Sequence, residues 1–285
     1  MLDTGEKQGS TRQALTKSLI QNFQVTYPDS LVEQKRIVSI LDEAFGAIER
    51  AKENAQKNLA NAREIFESYL NRVFTEKGEG WEEGILGEVA DVRDGTHDSP
   101  TYVPDGVPFV TQKNIRLDGL CVENTKCISQ EDHEKIYQRS NVTFGDILIS
   151  MIGANRGMAC IVDSKAMFSI KNVGLIKKGE VFDQSFLLYY LKSSSGNKYV
   201  GDASRGGAQS FIGLKKLRAF PVPIAPKAHQ ETLVSKLTDL DEATQELTSS
   251  FQQKLTALEE LKQSILQKAF TGRLTAKSPE LEAVG

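Results

Sequence analysis

Four polar loops in the middle of the sequence carry the side chains that are best suited to binding a ligand. They are residues 93–100, 111–116, 153–157 and 202–210, and each is rich in Arg, Asn, Gln, Ser, Thr or Gly. Glycine lets the backbone approach a ligand closely, and these polar side chains are the ones that contact phosphates and base edges. The alternative interpretation is that the loops are ordinary tight turns between strands. The candidate contacts are Arg93, Thr96, His97, Lys113, Asn114, Arg116, Asn155, Arg156, Ser204, Arg205 and Gln209.

Recognisable catalytic motifs are missing from the sequence. It has no Walker phosphate-binding loop, GxSxG nucleophile elbow, HExxH zinc motif or GxGxxG dinucleotide fingerprint. Pro28-Asp29 followed by Glu33 and Lys35 imitates a nuclease motif, but its two acids are only four positions apart. The Pro-rich run 221–226 lacks the acid or amide and the aromatic residue with which an amino-methyltransferase holds its target amine. We therefore expect neither nuclease activity nor methyl transfer from this chain.

The histidines and cysteines do not suggest a metal site or a disulfide framework. Cys121, Cys127 and Cys160 have no CxxC spacing and no neighbouring His pair, so we expect reduced thiols that are mostly buried. His133 lies in a charged segment and is predicted to be solvated. His229 is expected at the surface or as a cap in the first turn of a helix.

The composition indicates a globular, cytoplasmic protein but no particular ligand. The 285 residues include 35 Lys and Arg against 38 Asp and Glu, which gives a net charge of -3 and a mean hydropathy of -0.34. This balance excludes a strongly basic chain that coats nucleic acid and an acidic chain that stays disordered. No apolar run reaches the ~18 residues of a membrane span, and the polar start does not resemble a signal peptide, so no membrane partner is expected.

Two long helices are predicted on either side of the loop-bearing region. Residues 28–77 carry an apolar heptad stripe from Val38 to Val73, with Lys52 as a polar interruption that would help to fix the register, and residues 226–272 carry a second stripe. At 1.5 Å per residue the first helix would be about 60 Å long, too long to pack only on one domain of about 140 residues. We therefore expect an antiparallel coiled-coil spacer, formed either within one chain or between two.

The two helical segments are copies of one another at a separation of 196 positions. This offset matches Gln34 with Gln230, for example, and extends through most of both helices. A weaker match relates residues 9–25 to residues 206–222. The sequence therefore predicts that the chain opens with the tail of a domain whose body is missing.

The region between the helices is predicted to be a compact domain of the α+β class, one mixed, strand-rich domain beside two long helices. Short strands are expected at Ile85–Val92, Val107–Val110, Asp146–Ile152, Ala159–Val162 and Asn172–Ile176, and short helices at Gln130–Arg139 and Gln184–Lys192. The expected boundaries are 1–27 for the truncated tail, 28–78 for helix one, 79–225 for the strand-rich domain, 226–274 for helix two and 275–285 for the C-terminal tail.

Six short motifs in a fixed order carry a resemblance to a known family. They are Asp94–Pro100, Phe109–Ile115, Gly145–Ser150, Gly206–Gln209, Pro221–Ile224 and Phe270–Leu274. Together with the long repeat, they resemble the DNA-specificity (S) subunit of Type I restriction-modification enzymes. The resemblance implies a noncatalytic subunit whose strand-rich part is a target-recognition domain, which reads one half of a bipartite target in double-stranded DNA.

The resemblance also implies partners that carry the chemistry. N6-adenine methyltransferase subunits, which bind S-adenosylmethionine, would dock on the long helices. Restriction motor-nuclease subunits would join the complex and use ATP and Mg. No cofactor is expected in this chain itself.

The sequence departs from the family's full-length subunit by containing one recognition domain instead of two. It resembles a half-length version, so we expect a symmetric homodimer that reads an interrupted palindrome. Pairing with another S polypeptide at an asymmetric site is left open, as is the packing of residues 1–27 on a neighbour. The alternative function is a structural or regulatory coiled-coil fragment that binds methyltransferase subunits without reading DNA. A self-contained nuclease is the third and weakest interpretation.

Overall fold

The computed structural model describes residues 16–276, except 26, 117, 124, 154, 166 and 204–210, and these residues have the α+β fold predicted from the sequence. In chain order the elements are α1 (Lys17–Gln21), α2 (Leu31–Glu76), β1 (Glu82–Ile85), α3 (Leu86–Val89), β2 (Val92–Asp94), β3 (Tyr102–Val103), β4 (Val107–Val110), a 3-10 turn (Gln112–Asn114), β5 (Ile115–Arg116), β6 (Gly119–Leu120), β7 (Cys127–Ile128), α4 (Gln130–Ser140), β8 (Ile147–Ser150), β9 (Ala159–Ile161), β10 (Ser169–Ile170), β11 (Val173–Ile176), α5 (Gln184–Lys192), α6 (Ser194–Ala203), α7 (Leu214–Arg218), β12 (Pro221–Ile224) and α8 (Lys227–Phe270).

The described residues divide into two compact units. The helical unit contains the described residues up to Leu59 and from Ser250 onward, and the strand-rich unit contains those from Ala60 to Ser249. The long helices α2 and α8 contribute residues to both units.

The helical unit is formed by antiparallel packing of α2 and α8. Lys262 Nζ donates to Glu49 Oε1 at 2.9 Å, and Lys52 forms an ion pair with Glu259. Because the partner's number on α8 falls as the number on α2 rises, the helices run in opposite directions. Ile48, which directly precedes Glu49 on α2, is buried. The pairing lies within one chain, which is one of the two arrangements that the sequence left open.

Two four-stranded sheets form the centre of the strand-rich unit. One has the order β2-β11-β8-β9 with antiparallel neighbours, and the other has the order β10-β4-β7-β3 with β10 parallel to β4. Every residue of β8 and β11 is buried. A strand that is covered on both faces requires an almost continuous apolar run, and this is why Ile147–Ser150 and Val173–Ile176 are recognisable as strands in the sequence.

Aromatic side chains fill the core beside the long helices. The Phe74 ring of α2 lies edge-on to Trp81, Phe186 and Tyr190, with ring centroids between 5.3 and 6.1 Å apart. Leu237 of α8 is fully buried in the same cluster. Both long helices therefore form part of the core of the strand-rich unit.

Residues 214–224, which we name the closing segment, join the end of the strand-rich unit to its beginning. After α7, strand β12 pairs antiparallel with β1. The Leu86 N–H donates to the Phe220 carbonyl oxygen at 2.8 Å. Leu217, Phe220 and Val222 are each 1% exposed. The closing segment therefore covers apolar surface that the rest of the unit would otherwise expose to water.

The two helices that were predicted in this unit, α4 and α5, begin at side-chain caps. Ser129 caps α4 and Asp183 caps α5, each by accepting hydrogen bonds from backbone N–H groups in the first turn. The predicted helix Gln184–Lys192 is confirmed, and the predicted helix Gln130–Arg139 extends by one residue to Ser140.

Two of the structural predictions for this unit are wrong. Ile85–Val92 was expected to be one strand, but it contains the single helical turn of α3 between β1 and β2. Its apolar residues Leu86, Val89 and Val92 are spaced by three, which suits a helical turn better than a strand. His133 is buried instead of solvated, because its face of α4 packs on β10, where Nδ1 lies 2.9 Å from Ser169 Oγ.

The thiols and the third histidine follow the predictions in part. All three cysteines are free, but only Cys160 is buried, and burial raises its pKa to about 12. Cys121 and Cys127 are half-buried. Cys127 alternates with the buried Ile128 in β7, so its side chain lies on the opposite face of that strand. His229 is exposed in the first turn of α8, as predicted.

Candidate nucleic-acid interface

The backbone pairing of one sheet brings two of the candidate loops to the same edge. In the sheet β2-β11-β8-β9, Asp94 pairs with Gly174, Val173 with Ser150, and Ala159 with Ile149; these pairs mark the ends of the four strands at one edge. Because neighbouring strands are antiparallel, β2 and β8 end at this edge while β11 and β9 begin there. The loops after β2 and β8 therefore leave the sheet side by side.

A third candidate loop joins this edge through the turn between β10 and β11. The Thr96 N–H donates to the Ile170 carbonyl oxygen at 3.1 Å, and the Asn172 N–H donates to the Thr96 carbonyl oxygen at 3.1 Å. On the other side of the turn, the Lys171 N–H donates to the Val110 carbonyl oxygen at 2.9 Å. Val110 is the last residue of β4, so residues 111–116 begin beside the same turn. We name the described residues of 95–100, 111–116, 151–158 and 171–172 the loop edge.

His97 is positioned at the loop edge by two polar neighbours. Its Nδ1 lies 2.7 Å from Asn172 Oδ1, and its Nε2 lies 3.2 Å from Asp94 Oδ2. Asp94 is buried and also accepts hydrogen bonds from Arg139 Nε and Nη2 at 2.9 and 2.7 Å. The side chains of His97 and Arg139 remain 50% and 51% exposed. A buried carboxylate thus orients two side chains that both face water.

Thr96 and Arg93, two of the predicted contacts, are engaged inside the protein. Thr96 is buried, and its Oγ1 accepts a hydrogen bond from the Asp98 N–H at 3.0 Å. Arg93 donates from Nε and Nη2 to Asp91 Oδ2 at 2.9 and 2.6 Å and from Nη1 to the Ser140 carbonyl oxygen at 3.3 Å. The hydrogen bond to Asp91 raises the pKa of Arg93. Both side chains hold the first loop in place.

Asn114 has a similar internal role in the loop after β4. Its Oδ1 accepts from the Thr111 N–H at 2.8 Å, and its Nδ2 donates to the Cys121 carbonyl oxygen and to Thr125 Oγ1 at 3.0 and 3.1 Å. The side-chain amide therefore braces the loop at both of its ends. Within the described residues, the exposed Lys113 and Arg116 form no ion pair with another residue.

The loop between β8 and β9 exposes Asn155 and half-buries Arg156. Gly157 closes this loop by donating from its N–H to the Ser150 carbonyl oxygen at 2.8 Å. Its φ is +87°, and a Cβ there would lie 2.8 Å from Val200 Cγ1, so only glycine fits without strain. The predicted contacts Ser204, Arg205 and Gln209 lie outside the described residues. Phe211, which follows that segment, forms a β-bridge with Ile152 at the start of the same loop.

Sequence reasoning missed three polar residues of this region, namely Arg139, Lys171 and Asn172. Lys171 Nζ hydrogen-bonds to Ser99 Oγ, which joins the turn to the first loop. Asn172 adopts a left-handed conformation with φ of +53°. A polar pair between two apolar strands, with Asn in the second position, is a turn signal that the sequence does contain. The contact of Arg139 with Asp94, 45 residues apart, has no local signal.

The described part of the chain shows neither a metal-ligand cluster nor a membrane-spanning helix. No group of three or more His, Cys, Asp or Glu is arranged to hold a metal ion. Among the same residues, no helix is both long enough and apolar enough to cross a membrane.

Comparison with known proteins identifies the family. The sequence profile of the Type I restriction modification DNA specificity domain matches residues 78–257. The chain belongs to this family. The resemblance inferred from the six motifs and the repeat is therefore confirmed.

Curated relatives of this specificity-domain chain agree with the assignment. It is 24% identical over 281 residues to the Type I restriction enzyme MjaVIII specificity subunit of Methanocaldococcus jannaschii, covering 92% of this chain and 64% of the relative. It is 24% identical over 204 residues to the Type I restriction enzyme EcoBI specificity subunit of Escherichia coli, covering 70% of this chain and 43% of the relative. The chain thus spans less than two thirds of the length of either relative.

Two solved structures share the fold of this specificity-domain chain. One, from work on complex assembly and conformational transition of the type I R-M system, has a TM-score of 0.76 at 21% identity and covers 95% of this chain and 67% of that one. The other is the HsdS subunit of Thermoanaerobacter tengcongensis, with a TM-score of 0.60 at 21% identity and coverage of 95% and 66%. At these identities the likeness establishes the fold alone, which comprises two long helices and a strand-rich domain.

Proposed function

We propose that this chain is a noncatalytic DNA sequence-recognition subunit of a Type I restriction-modification enzyme. In this role the loop edge reads one half of a bipartite target, and the long helices dock N6-adenine methyltransferase subunits. The observation that carries the proposal is the presence of three polar loops at the loop edge, because a site that reads several base pairs needs several donors and acceptors on one surface. Membership of the DNA specificity family supports it.

The side chains at and beside the loop edge divide into contacts and supports. The proposed contacts are exposed or partly exposed, and their side chains are of the types that bind phosphates or base edges. They are His97, Lys113, Arg116, Asn155 and Arg156, with Lys171 and Arg139 added from the structure. Ser204, Arg205 and Gln209 stay in the proposal on motif position alone. The supports are Arg93, Thr96 and Asn114, whose polar atoms are occupied within the protein.

The repeat in the long helices supports docking of two identical partners. Ile65 on α2 and Leu261 on α8 are related by the offset of 196 positions, and both are exposed, at 59% and 48%. Their neighbours are also repeated, since Glu64 matches Glu260 and Ser68 matches Ser264. A surface that occurs twice in one chain can bind two copies of the same partner. In the proposed enzyme these partners are methyltransferase subunits that bind S-adenosylmethionine, and restriction motor-nuclease subunits supply the ATP- and Mg-dependent reaction.

We further propose that two copies of the chain pair symmetrically in the enzyme. The described part contains one strand-rich unit, so two copies would supply two readers. A two-fold axis between identical readers requires a target of two inverted half-sites, which is an interrupted palindrome.

Mapping of methylated adenines tests the function. The chain is co-expressed with its candidate N6-adenine methyltransferase subunit, and new methylation is located across the host genome. An interrupted palindrome supports both the reading role and the symmetric pair. An asymmetric bipartite motif supports reading but replaces the symmetric pair with a second S polypeptide. A stable complex without new methylation rejects DNA reading in favour of a fragment that only binds methyltransferase.

The docking surface is tested in the same strain by copurification. Ile65→Asp together with Leu261→Asp is expected to abolish recovery of the methyltransferase. Leu247→Asp is the matched control, because Leu247 is 49% exposed on α8 but its counterpart at the repeat offset is Ala51. Equal loss in the control and the double variant would reject the repeated patch as the dock.

A further inference from the structure

The region before α2 exposes an unusual run of apolar side chains. Ile20, Phe23 and Val25 are 57%, 54% and 58% exposed. Ile20 belongs to α1, a helix of only five residues that is capped by Thr16 Oγ1, and Phe23 and Val25 follow this helix. Large apolar side chains clustered at a surface in this way mark a contact that is made with something else.

The closing segment shows what these side chains are built to contact. At an offset of 197 positions, α1 (Lys17–Gln21) superposes in sequence on α7 (Leu214–Arg218), a helix of the same five-residue length. The same offset relates Ile20 to Leu217, Phe23 to Phe220 and Val25 to Val222.

The local backbone structure of the two copies is also the same. In the first copy the Phe23 N–H donates to the Ile20 carbonyl oxygen at 3.3 Å. In the second, the Phe220 N–H donates to the Leu217 carbonyl oxygen at 3.2 Å. The same turn therefore presents the same three apolar positions in both copies. We name residues 17–25 the leading copy.

The surroundings of the two copies differ completely. In the closing segment the three apolar positions are buried against β1, α3 and α5, and Tyr190 Oη donates to the Pro221 carbonyl oxygen at 2.8 Å. In the leading copy they face water. The place that would bury the leading copy in this chain's own strand-rich unit is already filled by residues 214–224.

We infer that the leading copy can act as the closing element of a second recognition domain, namely that of a second copy of this chain. The α1 turn would pack where α7 packs, and Phe23 and Val25 would enter the pockets that Phe220 and Val222 fill here. Leu and Ile have the same volume, and the Phe and Val positions are identical, so the replacement keeps the packing of a folded core. This interaction surface goes beyond the proposed reading role and does not depend on it.

A complementation experiment with full-length chains tests the inference. The recipient is an epitope-tagged chain in which Leu217→Asp and Phe220→Asp disable the closing segment, and Ile20→Asp and Phe23→Asp disable its own leading copy. The donor is the affinity-tagged chain with the natural leading copy. The two are co-expressed, and tryptic cleavage of the recipient is followed through its epitope tag. We expect the donor to protect the recipient's strand-rich unit from cleavage.

Two donor variants make the result specific. Ile20→Asp with Phe23→Asp in the donor is expected to abolish protection. Val32→Asp with Val38→Asp is the matched control, because it also removes two exposed apolar side chains of the helical unit but lies outside the leading copy, and it is expected to protect as well as the natural donor. Protection from trypsin is measured separately from copurification. The donor could bind the recipient through the long helices alone, and the recipient's strand-rich unit would then copurify without being protected.

The inference is overturned if the natural donor gives no protection, or if the donor with Ile20→Asp and Phe23→Asp protects equally well. The DNA methylation that the methyltransferase carries out in complex with that donor variant is mapped in parallel. The leading copy is separate from the loop edge. The methylated motif therefore tests DNA reading, whereas the tryptic cleavage pattern tests the leading copy, and either proposal can fail without the other.

Discussion

The salt dependence of DNA binding gives the sharpest test of the loop edge. Lys113→Ala with Arg116→Ala removes two positive charges from the loop after β4. Both side chains are exposed, and neither has an ion-pair partner within the described residues, so their removal leaves no buried group unsatisfied. We therefore expect a change in the free energy of unfolding within about 0.5 kcal/mol, as is usual for surface substitutions.

The size of the binding effect follows from counterion release. Each phosphate contact contributes about 0.9 to the slope of log affinity against log salt concentration, so two lost contacts reduce the slope by about 1.8. Between about 50 and 200 mM salt, the affinity advantage of the natural chain over the variant should then shrink by a factor of about 12. The assay is fluorescence anisotropy of the chain in complex with its methyltransferase, titrated onto a duplex that carries the mapped motif.

A control variant separates position from charge. Lys178→Ala with Lys215→Ala removes the same charge from the same unit. Lys178 follows β11 at the end opposite the loop edge, and Lys215 lies on α7, whose Arg218 hydrogen-bonds to the Val92 carbonyl oxygen at the start of β2. The control should keep the natural slope. Equal slopes for the two double variants would refute the assignment of residues 111–116 to the DNA surface.

Three further predictions concern the frame and the core. Gly95→Ala should lower the melting temperature and abolish methylation, because its Cβ would lie 2.3 Å from the Ile170 carbonyl oxygen, whereas Gly179→Ala, with no atom within 4 Å, should change neither. Burial lowers the pKa of His133, so the folded protein should lose stability as the pH falls below 6.5, where the unfolded chain binds the proton first. Urea titrations over this pH range should show that the free energy of unfolding depends less on pH in His133→Gln. An unchanged pH dependence would contradict the buried site. Burial raises the pKa of Cys160 from 9.0 to about 12, so stability should fall as the pH rises above 9.0, and Cys160→Ala should reduce that slope by up to about 1.4 kcal/mol per pH unit; equal slopes would indicate an exposed thiol.

The elements that the sequence predicts well are those with local signals at both ends. α5 has an acidic cap at Asp183, and its predicted bounds are those of the structure. The strand Val107–Val110 is likewise confirmed, because an apolar run of this length between turn residues is too short for a typical helix. The prediction at α3 is wrong because this helix has no such local signals. It is a single turn fixed by the tertiary hydrogen bond from the Leu86 N–H to the Phe220 carbonyl oxygen, and this bond joins positions far apart in the chain.

The candidate site shows the same limit. Polar loops can be found from composition, but the sequence does not say which polar atoms are used inside the protein. Asn114 and Lys113 are neighbours with equally suitable side chains, yet one braces the loop and the other faces water. The predicted exposure of His133 is wrong because its burial depends on Ser169 in β10, which lies 36 residues later in the chain. Only the fold reveals that partner.

The bonds that hold the loop edge together have an evolutionary consequence. Thr96, Lys171 and Val110 are joined through backbone N–H and carbonyl groups, which every amino acid other than proline can supply. Exposed positions such as His97 and Arg116 can therefore diverge while the frame beneath them persists. In the proposed role, a lineage could acquire a new DNA target through a few substitutions at little thermodynamic penalty, and the methylation pattern of the host would then change faster than the fold that directs it.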